Sequence, residues 1–161
     1  MISEIAENEE NCPCRSGMQY ELCCKPYLEN ESIPSNPETL MRSRYTAFTK
    51  EHWDYLKNTW HPETVPESLE GENSTWIGLE ILDSQIDEEQ NEAEVEFIAK
   101  LIYDDKLEIL HEISHFDLID GRWLYHSGEF QNEDQPIKKI SKSAPCPCGS
   151  QKKYKNCKHS F

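Results

Sequence analysis

The chain has 161 residues, of which 36% are hydrophobic and 10% aromatic, and this composition indicates one folded domain with short appendages rather than a disordered chain. Its formal net charge of -15 is unevenly distributed, because residues 138–161 contain seven Lys and no acidic residue. The sequence begins without a signal-like apolar segment and holds no apolar run long enough for a bilayer. We therefore expect a cytoplasmic protein with reduced thiols and no membrane partner.

The first motif in chain order is a cysteine cluster, NCPCRSGMQYELCC, at residues 11–24. Its cysteines form one C-x-C pair and one C-C pair. Cysteines this close together make poor disulfides, whereas four thiolates from two short pairs suit tetrahedral zinc. The sequence therefore predicts a zinc knuckle over residues 10–28, and its expected ligands are Cys12, Cys14, Cys23 and Cys24.

The middle of the chain, residues 32–131, predicts an α+β domain. The segment SNPE at residues 35–38 is typical of a helix start, and the apolar stripes that follow indicate one or two amphipathic helices ending at His61-Pro62. Alternating apolar residues then predict four long antiparallel strands, with a hairpin at Asp120-Gly121. We expect a curved, cone-shaped antiparallel sheet wrapped on the N-terminal helices.

Polar residues lie in the third predicted strand, where a buried face would be apolar. Glu112 is on the strand face opposite to His111. Arg42 and Arg44, in the predicted helix, are placed to pair with Glu112 inside the cone. A first interpretation is a buried ion pair that fixes the helix against the sheet.

A second interpretation of the same residues is a small-molecule pocket. In it, Glu112 or His111 acts as a general base, with Arg44 nearby. Large aromatic residues would form the apolar wall of this pocket, namely Trp76, Trp123 and Tyr125.

The cysteine pattern returns near the end of the chain as CPCGSQKKYKNCKH. Cys146, Cys148 and Cys157 keep the offsets of the first copy, but Lys158 takes the fourth position. Lysine stays protonated at neutral pH and is a poor zinc ligand, so His159 is the nearest alternative donor. We predict a second, weaker zinc knuckle over residues 143–161, closed by His159.

Both cysteine clusters resemble the SEC-C zinc motif of the SecA translocation ATPase, in which the motif implies contacts with the SecB chaperone and with ribosomes. The segments LMRSRYTAF, DYLKNTWHP, TWIGLEI and GRWLYHSGEF, set between two such motifs, resemble the YchJ family of bacterial proteins. That resemblance implies a middle domain similar to the nuclear-transport-factor-two-like fold, a cone that often encloses a pocket. It implies no particular reaction.

Two hypotheses about function follow. In the first, the protein is not an enzyme but a zinc-binding adaptor, whose basic C-terminal segment binds a protein or a ribosomal RNA partner. The linker-like composition of residues 131–145 then predicts a mobile C-terminal knuckle. In the second, the protein is an enzyme or a small-ligand-binding protein that uses the pocket of the cone.

Overall fold

Three α-helices precede a five-stranded antiparallel sheet in a computed structural model of the chain, which describes residues 10–69, 74–131 and 138–157. The predicted α+β class and curved sheet with helices ahead of it are confirmed. None of the helices in these ranges is long and apolar enough to cross a membrane. The elements are α1 (Lys25–Leu28), α2 (Pro37–Lys50), α3 (Trp53–Asn58), β1 (Thr75–Asp87), β2 (Glu92–Tyr103), β3 (Lys106–Ile119), β4 (Arg122–Phe130) and β5 (Lys138–Lys139).

Helix α2 begins where the sequence predicts. The Asn36 side chain accepts a hydrogen bond from the backbone N–H of Thr39 at 2.8 Å, and Pro37 occupies the first turn. The helix ends at Lys50 because Glu51 adopts a left-handed conformation, with φ of 59°. The predicted helical region is thus divided into α2 and α3.

The sheet has the order β1-β2-β3-β4, and all of its neighbouring strands are antiparallel. Alternate residues of β2, including Val95, Phe97 and Ala99, are buried in the main core together with Leu40 of α2. This alternation places one face of the sheet against the helices and leaves the other face polar.

The C-terminal segment packs against the body of the protein. Strand β5 pairs with the start of β3, and Ile140 is buried in a second small core with Ile77, Ile102 and Cys146. The Tyr154 hydroxyl donates to Asp105 Oδ1 at 2.6 Å. Ile140, one apolar residue in a polar segment, thus covers the apolar ends of β1 and β2 and packs the C-terminal knuckle on the body. The mobility predicted from linker composition stays a prediction.

Candidate metal centres and cavity

The N-terminal cluster brings its four predicted ligands together. The sulfur atoms of the four cysteines all lie within 4.8 Å of one another; these residues are Cys12, Cys14, Cys23 and Cys24. Four thiolates about 2.3 Å from one tetrahedral Zn²⁺ are roughly 3.8 Å apart, and the Cys14–Cys23 and Cys23–Cys24 sulfur distances are 3.5 and 3.9 Å. The donor set therefore fits a closed structural zinc site.

Local backbone geometry places the two cysteine pairs. Arg15 and Gly17 have φ of 64° and 88°, which turns the chain sharply after the first pair. A short 3-10 helix, Tyr20–Leu22, then brings the second pair back to the first. Hydrogen bonding to Cys12, and then to Cys24, holds the pKa of Cys14 well below the usual value for a thiol, whereas hydrogen bonding to Cys12 and Cys14 raises the pKa of Cys24. Cys14 is thus favoured as a thiolate, while Cys24 must lose its proton when a metal binds.

The N-terminal knuckle is part of the main hydrophobic core. Cys12, Cys14 and Cys24 are all at most 2% exposed. The guanidinium of Arg42 donates from Nη1 to the carbonyl of Cys14 at 2.8 Å. Arg42 thus fastens the knuckle to α2 and does not pair with Glu112, because it lies on the part of α2 that faces the knuckle.

The C-terminal cluster repeats this geometry with three thiols. The sulfurs of Cys146, Cys148 and Cys157 lie within 4.8 Å of one another. The Ser150 hydroxyl lies 3.2 Å from Cys157 Sγ, as the Ser16 hydroxyl lies 3.1 Å from Cys23 Sγ. These three thiols can hold a metal ion and are compatible with zinc.

The predicted fourth ligand of this second site, His159, and its neighbour Lys158 lie outside the described residues. Closure of the site by His159 therefore stays a prediction.

Arg15 connects the two knuckles, a role that sequence reasoning missed. Its Nη2 donates to the carbonyl of Ile77 at 2.6 Å and to that of Cys148 at 3.4 Å. These carbonyls are 62 and 133 positions away along the chain. No local sequence pattern predicts these partners, because every residue has a backbone carbonyl.

We expect Arg15→Ala to loosen the C-terminal knuckle, because the variant lacks a charged donor to two backbone carbonyls. The loss in global stability should be about 1–2 kcal/mol. Amide hydrogen exchange should accelerate mainly in residues 138–157. Lys25→Ala removes the same charge from the N-terminal knuckle and serves as the control; equal exchange in the two variants would contradict the role of Arg15.

A cavity of about 210 Å³ lies between α2, the end of α3 and the sheet. Glu112 and Arg44 both line it, as the second interpretation of these residues expects. The remaining lining residues are Met41, Tyr45, Phe48, Trp60, Trp76, Phe97, Ala99, Leu110, Ser114, Tyr125 and Phe130.

Two of the predicted pocket residues lie elsewhere. His111 is on the outer face of the sheet, with Nε2 at 2.6 Å from Glu96 Oε2. The predicted wall is present in part, because Trp76 and Tyr125 line the cavity while Trp123 is buried in the main core. Of the two candidate general bases, Glu112 therefore lines the cavity and His111 does not.

The Glu112 carboxyl is held at a defined place in the cavity wall. The Ser114 hydroxyl donates to Glu112 Oε2 at 2.6 Å. Burial raises the pKa of Glu112, while Ser114 and the charge of Arg44 oppose that shift. Gly128 provides the space, because a Cβ at that position would lie 2.5 Å from Glu112 Cδ.

The Arg44 guanidinium is buried between two aromatic rings. Its Cζ lies 4.8 Å from the centroid of the Trp60 ring and 4.6 Å from that of Tyr125. Nη1 donates to Leu56 O at 2.9 Å and to Thr59 Oγ1 at 2.7 Å. Burial lowers the pKa of Arg44 to about 10, so the side chain stays charged at neutral pH.

The predicted contact ion pair between Arg44 and Glu112 is therefore not formed. Across the described residues, no carboxylate oxygen lies within 4.0 Å of the Arg44 nitrogens. The hydrogen bonds to the end of α3 hold the guanidinium away from β3, and Glu112 acts on Arg44 only through space.

Comparison with known proteins agrees with this architecture. The family model described as YchJ, middle NTF2-like domain, matches residues 36–128, and that of the SEC-C motif matches residues 143–157. A UPF0225 protein of Photorhabdus laumondii is 42% identical over 157 residues, which cover 92% of this chain and 98% of its own. The UPF0225 protein YchJ of Shigella dysenteriae is 38% identical over 152 residues, covering 91% and 95%.

A solved structure is also similar. The solution structure of a SEC-C motif containing protein from Rhodopseudomonas palustris superposes with a TM-score of 0.63 at 31% identity. The match covers 74% of this chain and 97% of that one.

Proposed function

The chain belongs to the YchJ family, and we propose that this member is a cytoplasmic zinc-binding adaptor whose C-terminal knuckle binds RNA. In this proposal zinc binds to both thiol clusters and has a structural rather than a catalytic role. Four thiols close the first site and leave no open position for a substrate or water.

One observation carries the proposal, a surface of six exposed lysines that we call the basic surface. Within the described ranges, none of them pairs with a carboxylate, so their charge is available to a partner. Because β5 and Ile140 pack on the sheet, the surface is held at one edge of an otherwise acidic body. Its members are Lys138, Lys139, Lys142, Lys152, Lys153 and Lys155.

The chemistry of the basic surface favours RNA over a protein partner. Protein interfaces are depleted in lysine and have an apolar centre, but none of the exposed large apolar side chains of the described residues lies within residues 138–157. Lysines suit phosphates as mobile point charges. Tyr103, which is 44% exposed, pairs across the hairpin with Lys106, and Lys106 pairs with Lys139, so an aromatic side chain lies in the adjacent hairpin.

The proposal predicts salt-dependent binding of a fluorescein-labelled single-stranded RNA by the zinc-loaded full chain. The logarithm of the binding constant should fall linearly with the logarithm of salt concentration, because binding of the lysines to phosphates releases counterions from the RNA. The double variant Lys152→Ala/Lys153→Ala should flatten that slope by about 1.4, which is roughly 0.7 for each phosphate that is no longer neutralised. Fluorescence anisotropy over a salt series measures both slopes.

The matched control is Lys25→Ala/Lys57→Ala, which removes the same charge outside the basic surface and should leave the slope unchanged. Equal slopes in all three proteins, or no binding at about 50 mM salt, would refute RNA binding by this surface. Capture of purified ribosomes through protein alone, insensitive to ribonuclease, would replace RNA by a protein partner.

A further inference from the structure

The cavity beside Arg44 has the size and lining of a small-ligand site. Its volume of about 210 Å³ exceeds the roughly 150 Å³ of an engineered apolar cavity that accepts benzene. Protein interiors rarely leave such space unfilled, because each void forfeits packing interactions. Its wall is largely aromatic, with Phe48, Trp76 and Phe97 among the lining residues. A single aromatic ring with one small substituent fits this space.

The buried positive charge of Arg44 in the cavity wall favours a negatively charged ligand. Arg44 is only 3% exposed and has no carboxylate in contact among the described residues. Both of its described hydrogen bonds start from Nη1, although a guanidinium carries five N–H donors. A buried cation with spare donors is stabilised by an anion, and a planar carboxylate matches the guanidinium geometry.

A second donor in the cavity wall also lacks a partner. The indole N–H of Trp60 is fully buried and makes no hydrogen bond within the described part of the chain. Trp60 lines the cavity and stacks against Arg44. A buried polar group without a partner is costly, and here it belongs to the residue that stacks on the buried Arg44 guanidinium.

From this geometry we infer that the cavity binds a small aromatic monocarboxylate, with the carboxylate against Arg44 and the ring among the aromatic side chains of the wall. The site is separate from both thiol clusters and from the basic surface. It gives the protein a second, small-molecule binding activity beyond the adaptor function proposed above.

Glu112 makes this binding depend on proton uptake. A ligand carboxylate near an ionised Glu112 is repelled, whereas a protonated Glu112 can donate a hydrogen bond to it. The groups around Glu112 are Ser114 of β3, Arg44 of α2 and Tyr125 of β4, while His115, which contacts Glu94 and Glu129 on the opposite face of the sheet, acts on it only through its charge. Because burial already raises the Glu112 pKa in the free protein, binding an anion raises it further. Affinity must then increase as the pH falls.

The test is isothermal titration calorimetry of the zinc-loaded full chain with benzoate and with benzamide, a neutral molecule of the same shape. Benzoate should bind at least about tenfold more tightly than benzamide at pH 6, a difference due to the charge. It should also bind more tightly at pH 6 than at pH 8, because the lower pH favours the protonated form of Glu112. Equal affinities for the two probes, or no binding of benzoate, would overturn the inference.

Two variants test the roles of Glu112 and Arg44 in ligand binding. Glu112→Gln, which keeps the shape of the side chain and cannot ionise, should bind benzoate at pH 8 more tightly than the wild type does at that pH, and should lose the pH dependence. Arg44→Lys should weaken benzoate at least tenfold with little change for benzamide. If Arg44→Lys does not fold, the comparison of benzoate with benzamide in the wild type and the Glu112→Gln variant still test the inference. An unchanged pH dependence in Glu112→Gln would refute the role of Glu112.

These results are independent of the adaptor proposal. Lys152→Ala/Lys153→Ala should bind benzoate as the wild type does, and Glu112→Gln should bind RNA as the wild type does. Failure of one proposal is thereby distinguished from failure of the other.

Discussion

Cys24→Ser should lower the melting temperature of the zinc-loaded protein by on the order of 10 °C or more. Cys24 is 2% exposed and immediately precedes α1, which packs its buried Leu28 into the main core. Loss of this thiolate breaks the four-thiol site, and because the buried cysteines of that site are part of the main core, the packing of the core is disturbed as well. The free energy of metal binding is therefore also free energy of folding for this part of the chain.

Cys148→Ser is the matched comparison, because it removes one thiol from the C-terminal cluster. Cys148 is half-buried and packs only on the second small core. Its loss should leave the main melting transition nearly unchanged while it weakens RNA binding. Differential scanning calorimetry, with zinc content measured by atomic absorption, gives both values. A larger loss of melting temperature in Cys148→Ser than in Cys24→Ser would reverse the structural roles of the two knuckles.

Arg44→Ala should destabilise the fold by about 3 kcal/mol or more. The substitution removes the donor to Leu56 and Thr59 at the end of α3 and leaves a hole between two aromatic rings. Thr59 is 2% exposed, so water replaces the missing donor poorly. Guanidinium chloride unfolding measures the difference in free energy.

Arg42→Ala is the control for Arg44→Ala, since both residues are arginines of α2 only two positions apart. Within the described part of the chain Arg42 makes one side-chain hydrogen bond, to the carbonyl of Cys14, and it is partly exposed. Its loss should cost about 1 kcal/mol. Equal destabilisation by the two substitutions would contradict the structural distinction between them.

Local spacing made much of the protein predictable. The cysteine pattern requires four thiols to converge, because a tight turn and a short helical segment bring neighbouring pairs together. Asn36 caps α2 as predicted, and Asp120 and Gly121 have positive φ in the predicted hairpin. Period-two alternation likewise predicts which face of β2 is buried. Each of these features depends on residues close together in the chain.

Arginine partners, by contrast, were decided by tertiary structure. Sequence spacing places Arg42 and Arg44 equally well for a contact with Glu112, yet the first holds the N-terminal knuckle and the second holds α3. Which group a long side chain reaches depends on how the helix is rotated against its neighbours. That rotation results from the packing of the whole core.

Short-range periodicity and spacing were enough to predict the fold class, the two thiol clusters and the placement of Glu112 on the strand face opposite to His111. Tertiary packing, in contrast, placed Ile140 against the sheet and brought Arg15 to the C-terminal knuckle. It also decided that Gly128 makes room for the Glu112 carboxyl. Those interactions join residues far apart in the chain, and they arise only when the packed faces bring such residues together.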